Sequence, residues 1–495
     1  MGNCDIKKSL SAIAVNLRNL DLSNDPGSLI FFYNNRGVCE SVISPFERSL
    51  EDVFTSEELM TTAKETGFCR RKSKLNPFVF FDLMMYDSSS AKPKSLNQLA
   101  IEAFSVHDIG ISKQGMDKKF SEQALAFLKH LMEKQLSVEL GQQIDAGWLS
   151  LFNRVVIKDA TRFELPENYK DHLAGPGGGA SKAGACLQFE YDLKSGSIID
   201  LSLTAANRPD VKEAVQVLDK VACNDLIIRD LGYFAFKSFL NITSKGGFFI
   251  SRVRANAIVY EMKDEKLQPL DFKVLYEGMK KNQLSRIEKD VFIGNTPKIP
   301  VRVIIDIIPD AIYEERIRKT NISHKRQGYS SSEKYKLRSR FNLVITNVPQ
   351  TVLPTDVVPA LYRIRWQIEL IFKIWKSIIG IHHNRIMKYT RWLYILHFKL
   401  LLMIVNWNII MGKRNHIYKQ RGKLLSLNKC FKTLFDNSYR LRDALKKGIK
   451  GITNFIKWVE KIFRENHWLE RKKNKMGLEK ICYLFYCKSY IYVYI

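Results

Sequence analysis

The sequence predicts an α/β protein with extensive helical flanks, and three observations lead to that class. Between about residues 150 and 254, short apolar runs such as Val155-Val-Ile-Lys-Asp159 and Asp225-Leu-Ile-Ile-Arg-Asp230 alternate with helical stretches. On either side, residues 50 to about 145 and Asn384 to about Lys475 carry helical patterns rich in Lys and Arg. At 495 residues, with 45% hydrophobic and 11% aromatic content, the chain is long enough for two or three domains with a substantial core. No internal repeat is visible.

Charge and cysteine usage narrow the partners. Lys and Arg number 78 against 51 Asp and Glu, a formal net charge of +27. On a folded protein this points to a polyanion, DNA or RNA ahead of anionic lipid. Part of the excess is bland, because abundant Ile, Asn, Phe and Tyr suggest an AT-biased genome that favours Lys codons. The 8 cysteines form no C-x-x-C pair, which disfavours a zinc ribbon, and their scatter suits free thiols in a reducing cytosol. No secretory h-region follows the N-terminal Met-Gly-Asn-Cys, and Ile6 stands where an acylation site wants Ser or Thr. Leu393 to Met411 is apolar enough to resemble a membrane span, but His397, Lys399, Asn406 and Asn408 are costly in lipid, so a buried core helix is expected. The expected location is therefore cytoplasmic and nucleoid-associated, with no membrane partner.

In chain order, residues 1–48 are irregular. Residues 49–148 read as a helical DNA-binding domain. Glu51 to Glu65 reads as one helix stopped near Gly67, followed by the basic cluster Cys69-Arg-Arg-Lys-Ser-Lys74. Pro77 to Tyr86 is a helix with Pro near its start. A helix capped by Ser95, a turn at His107 to Gly110 and a second helix from Ser112 resemble a helix-turn-helix. Its second helix offers Lys113, Gln114, Lys118 and Lys119 to DNA; an ordinary helical hairpin is the competing reading.

From 149 to 254 the expected strands are Val155–Asp159, Leu187–Leu193, Ser197–Thr204, Asp225–Asp230 and Gly247–Arg254. The second and third are joined by Lys194-Ser-Gly196. Helices are expected at Val211–Ala222 and from Ala235 to Leu240. The glycine-rich loop Gly175–Gly184 lacks the Lys-Ser/Thr ending of a nucleotide-binding loop and reads as a connection. The order of strand, strand, strand, helix, strand, helix, strand is the ribonuclease H-like one, in which the first and fourth strands are neighbours. Asp159 and Asp230 would then meet at adjacent strand ends, where α/β sheets place chemistry, although a lone Asp there often only caps a turn.

Residues 255–352, with runs such as Val301–Ile307 and Phe341–Thr346, read as a β-rich inserted subdomain. Residues 353–410 return to the ribonuclease H-like core begun at 149–254, 411–475 form a basic helical region, and 476–495 an aromatic, β-prone tail foreign to the rest.

The helix Tyr362 to Lys376 carries the sharpest signal. At about 100° per residue, Leu361, Ile364, Ile368, Ile371, Phe372 and Trp375 share an arc of roughly 100° that can dock on a core. Tyr362, Arg365, Glu369 and Lys376 share a separate arc of about 60°. One carboxylate among cations and a phenol suits a metal ion working on a phosphate, while a solvated face with i,i+4 pairs is the bland alternative. Asp159, Asp230 and Glu369 together would complete a two-metal site of hard oxygen ligands, fitting Mg²⁺.

The spacing Tyr362-x2-Arg365-x3-Glu369-x6-Lys376 resembles the signature of the insertion-sequence-four family of bacterial DDE transposases. Lys158-Asp159-Ala-Thr161 and Arg229-Asp230-Leu-Gly-Tyr-Phe234 are similar to the blocks around that family's two Asp residues, and the resemblance spans roughly residues 50 to 410. Ala160 departs from a commonly polar position, and the tail has no counterpart. The resemblance implies that Asp159, Asp230 and Glu369 are catalytic and bind two Mg²⁺ ions, with Mn²⁺ able to substitute. It implies that Tyr362, Arg365 and Lys376 hold phosphates at the element's end; Trp366 is either a stacking platform for a displaced base or a core residue. It further implies cut-and-paste transposition through a DNA hairpin, terminal inverted repeats and target DNA as double-stranded partners, and a homodimer in the synaptic complex. A catalytically decayed element-end binder and a ribonuclease H-like nuclease are the alternatives.

Overall fold

The computed structural model describes residues 45–71, 73–88, 93–140, 147–210, 220–326 and 328–469. The apolar runs between 155 and 346 become ten strands of one sheet. These are β1 (Val155–Leu165), β2 (Ala183–Asp192), β3 (Ile198–Ala205), β4 (Leu226–Arg229), β5 (Phe248–Arg252), β6 (Val259–Lys263), β7 (Lys266–Pro269), β8 (Arg286–Ile293), β9 (Ile299–Ile307) and β10 (Phe341–Thr346). Their order is β3-β2-β1-β4-β5-β10-β9-β8-β6-β7. β1, β2 and β3 form an antiparallel meander, and β4 and β5 add parallel to β1. The first and fourth strands are therefore neighbours, as the element order suggested. β10 returns antiparallel to β5. The strands of the expected insertion thus continue the same sheet, with helices Phe272–Lys281, Asp310–Arg326 and Glu333–Arg338 between them.

Alternation along the strands feeds two cores. Val155, Ile157, Leu226, Ile228 and Ile250 join the larger core with the helices after residue 357. Val156, Ile227 and Phe249 join a second core with Phe239, Val303 and Phe341 on the opposite face. Between β2 and β3 the Asp192 carboxylate accepts from the backbone N–H groups of Val155, Lys194 and Ser195. Gly196 closes that turn at φ +84°, where an added Cβ would lie 2.8 Å from Met411.

Three expectations about element boundaries are corrected. Glu51 to Glu65 is two helices, Pro45–Phe54 and Ser56–Glu65, because the Thr55 side chain accepts from Glu58 N and caps a new start. The first strand does not end at its acid: β1 runs on to Leu165, paired with β2 throughout. The helix around Glu369 is not uniform, consisting of Val357–Ile364, Trp366–Ile374 and a π turn at Trp375–Ile379 that ends at left-handed Gly380. Most of the helix expected at Val211–Ala222, the segment before residue 45 and the tail 476–495 lie outside the described residues.

The flanking helices pack together. Tyr389–Arg421 lies against Glu122–Leu136 and Pro77–Ser88, and Gly448–Asn466 against Pro45–Phe54. Buried Asp82 ties the two flanks: it meets Arg442, Lys446 Nζ at 3.2 Å and His107 Nε2 at 2.8 Å. Burial alone would raise its pKa, yet Arg442 and Lys446 hold it below the ordinary carboxylate value. Tyr389–Arg421 is long and apolar enough to cross a membrane, but 89% of its most apolar window is buried inside the protein. It is a core helix, and its polar groups are matched there: Lys399 donates to the carbonyls of Ile379 and Gly380 at 3.2 Å, and Asn408 to that of Gln135 at 2.9 Å.

Candidate active site

Strand register brings the two Asp residues together. The parallel ladder of β1 and β4 ends at the pair Lys158↔Arg229, so Asp159 and Asp230 follow it side by side. β4 stops there and Asp230 caps a short turn, its carboxylate accepting from Gly232 N at 3.3 Å. Below them runs a charged row across four strands, through the pairs Lys158↔Arg229, Lys158↔Glu190 and Glu190↔Asp200. Lys158 Nζ is 3.3 Å from Asp200 and 3.5 Å from Glu190, and Arg229 Nη2 is 3.1 Å from Glu190. These buried pairs pin the register on which the site depends. Lys158 and Arg229 each precede one of the Asp residues in sequence, and that doubled cation-acid pattern is the signal by which they could have been found.

The third acid arrives on the helix after β10. The expected apolar stripe is buried: Leu361, Ile364, Ile368, Ile371, Phe372 and Trp375 all belong to the larger core. This seats Glu369 over the same sheet end. One guanidinium then gathers all three carboxylates. Arg365 Nη1 is 3.1 Å from Asp159 Oδ2, its Nε 3.4 Å from Asp230 Oδ1, and its Nη2 2.8 Å from Glu369 Oε1. Burial would lower the Arg365 pKa, but Asp230, Tyr362, Glu369 and Asp159 raise it on balance. The Asp159 pKa is raised as well, and there the shift disfavours the charged form. Burial, with Asp230 and Glu369 adding, outweighs the Ala160 N–H and Arg365 and pushes it up to about 6.

The remaining candidates divide. Tyr362 lies against Arg365, and burial pushes its phenol up to about 12. Lys376 Nζ donates to Arg162 O of β1 at 3.1 Å, within the π turn, and burial lowers its pKa. Trp366 is 41% exposed, which removes the core reading and leaves its ring at the surface one residue from Arg365. Lys113 and Gln114 are exposed on a five-residue helix, Lys113–Asp117; exposed Lys118 follows it, and Lys119 donates to Ser73 Oγ at 3.0 Å. Asp117 anchors that hairpin to Lys388 and Arg391 at the start of the long core helix.

Among the described residues, no group of three or more His, Cys, Asp or Glu is set closely enough to hold a metal ion as it stands. The chemistry of the donors nevertheless fits one. All three are hard carboxylates, they come from three separate segments, and they converge on a cation that is here the Arg365 side chain.

A sheet-end cluster of two strand Asp residues and one helix Glu is the arrangement after which a family of DNA-processing enzymes is named. Residues 150–404, just over half of the chain, match the family model described as "Transposase DDE domain". The chain belongs to the DDE transposases, which cleave DNA and transfer its strands. Over most of its length it is similar to the transposase for insertion sequence element IS231B of Bacillus thuringiensis subsp. berliner, 28% identical over 86% of this chain and 93% of that one. The transposase for IS231D of subsp. finitimus is 29% identical with the same coverage. The transposase for IS1151 of Clostridium perfringens is 26% identical, again over 86% and 93%. These are insertion-sequence transposases, the kind to which the Tyr-Arg-Glu-Lys spacing pointed.

Proposed function

We propose that this chain is the transposase of an insertion sequence. It cuts the element from its donor through a DNA hairpin and joins it to target DNA, using Asp159, Asp230 and Glu369 as metal ligands on a ribonuclease H-like core. The observation that carries the reading is the convergence of those three carboxylates on the Arg365 guanidinium. Three acids around one base leave a net negative charge, which suits a site that takes up further cations. The strand order β3-β2-β1-β4-β5 is the arrangement expected of that core.

Each step is an in-line displacement at phosphorus. Water cuts at the element's end and the 3′-oxygen leaves as a hydroxyl; that hydroxyl attacks the opposite strand and closes the hairpin. A second hydrolysis reopens the hairpin, and the 3′-hydroxyl attacks a target phosphodiester. Divalent ions, Mg²⁺ by the donor chemistry and Mn²⁺ in its place, supply activation of the attacking oxygen and stabilisation of the leaving one. The protein's own groups orient the DNA. Arg365 exchanges carboxylate oxygens for phosphate oxygens when an element end enters, which frees the acids to act as ligands. Lys376 and Tyr362 hold neighbouring phosphates, and exposed Trp366 stacks on an unpaired base. Lys113, Gln114, Lys118 and Lys119 contact the repeat farther from the cut. Two copies pair the two ends.

The test is a labelled duplex carrying the element's own end, incubated with and without Mg²⁺ and resolved on a denaturing gel. Metal-dependent cuts at the end, a hairpin product and their loss in Glu369→Gln are expected. Specific binding with no cut by the wild type would instead favour the decayed, binding-only reading. Cutting of unrelated duplexes without joining would favour a nuclease.

A further inference from the structure

The row of functional groups at this sheet end continues past the acids. Ile228 of β4 pairs with Ile250 of β5, so Arg252, two residues beyond Ile250, is level with Asp230, two residues beyond Ile228. It sits on the same face, since alternation places Arg252 with Ile250 in the direction of the catalytic helix. On the next strand Val344 pairs with Arg252, and Asn342 lies one rung pair farther toward the same sheet end. There Arg316, from helix Asp310–Arg326, donates to Asn342 Oδ1 at 2.9 Å and to Ser339 O at 2.9 Å.

Arg338, the neighbour of Ser339, is 7% exposed, and its Nε and Nη2 are buried with no hydrogen-bond partner among the described residues. Its guanidinium lies over the Phe272 ring at 4.9 Å, which neutralises nothing fully. Burial, then the nearby charges of Arg252 and Arg316, push its pKa down to about 10, and Arg316 is lowered by burial and by Arg252. Of the acids on the adjoining elements, Asp306 is engaged by Arg286, Asp310 by Arg340 and Glu315 by Arg318. A half-buried arginine pair backed by a buried third is costly unless an anion meets it.

We propose that Arg252, Arg316 and Arg338 form a phosphate site for the DNA strand whose scissile bond lies at Asp159, Asp230 and Glu369. This rests on the transposase reading and extends it to the helices between β9 and β10, which the sequence signature does not reach. The span fits. Neighbouring strands lie about 4.8 Å apart, so β10 is about 10 Å from β4. That is two to three nucleotides at roughly 3.4 Å each. Arginine forks suit the bidentate capture of phosphate oxygens.

The test measures binding of a terminal-repeat duplex across a KCl series for wild type, Arg252→Gln, Arg316→Gln and Arg338→Met, with the melting temperature of each. Each variant should lower the slope of log affinity against log salt by about 1, and bind several-fold more weakly at low salt. Arg338→Met should melt no lower than wild type without DNA, because it removes a buried repulsion, and should gain less on adding the duplex. A wild-type salt slope in Arg252→Gln and Arg316→Gln would overturn the proposal. So would an Arg338→Met that melts far lower while Arg316→Gln binds normally, since the cluster would then serve packing alone. Failure of the wild type to bind the duplex would instead remove the proposed element-end role of Asp159, Asp230 and Glu369 on which this inference rests.

Discussion

Two ion clusters in this molecule are mirror images. In the helical flank one buried acid, Asp82, faces three basic groups, Arg442, Lys446 and His107. At the sheet end one base, Arg365, faces three acids, Asp159, Asp230 and Glu369. The first lowers the pKa of its acid and joins two helical segments distant in sequence. The second leaves Asp159 raised to about 6, a carboxylate that resists its own charge. An excess of cations around one acid serves as a fastener here. An excess of acids around one cation is held at a standing cost, and that suits a site awaiting a further positive charge.

The comparison can be broken at either end. Glu369→Gln has the largest expected effect: on the proposed role of Glu369 as a metal ligand, cleavage of an element-end duplex should fall by roughly 10³-fold or more, a loss of several kcal/mol of transition-state stabilisation. Binding of the same duplex should change little. Cleavage at the wild-type rate would remove Glu369 from the site. Asp82→Asn should leave the chemistry intact and lower stability by about 3 kcal/mol, because it strands buried cations. Urea unfolding measures this, and a loss below about 0.5 kcal/mol would mean that the flank is held by apolar packing alone.

Asp159→Asn sharpens the contrast through pH. With the folded pKa raised from 3.8 to about 6, the favourable contribution of this group is complete below about pH 4 and is lost as pH rises through about 6. The Asn variant should therefore be more stable than wild type at pH 7.5, on the order of 2 kcal/mol, with the gap closing by about pH 4. Unfolding measured across that range checks both sign and window. A variant less stable at neutral pH would show that the Arg365 contact outweighs burial.

The parts of this site that were legible in sequence are those set by local periodicity. The apolar stripe from Leu361 to Trp375 follows from a 100° wheel, and that stripe fixes which way Glu369 points. The neighbouring positions of Asp159 and Asp230 follow from the order of strands. What was not legible depends on contacts between segments. Asp159 looked like a strand end because it is charged, but β2 supplies a partner as far as Leu165. The π turn at Trp375–Ile379 has no composition of its own, and Lys399 from a later helix supports the carbonyls at its end, those of Ile379 and Gly380. Arg365 reads as a phosphate ligand from its spacing, and only the folded chain brings it within reach of three carboxylates at once.

The most direct measurement is a Mn²⁺ titration followed by electron paramagnetic resonance on the free protein, comparing wild type with Asp159→Asn and Arg365→Ala. If the three acids are metal ligands that Arg365 occupies until DNA enters, Asp159→Asn should lose the ion and Arg365→Ala should bind it about tenfold more tightly. Equal Mn²⁺ affinity in all three proteins would contradict the account.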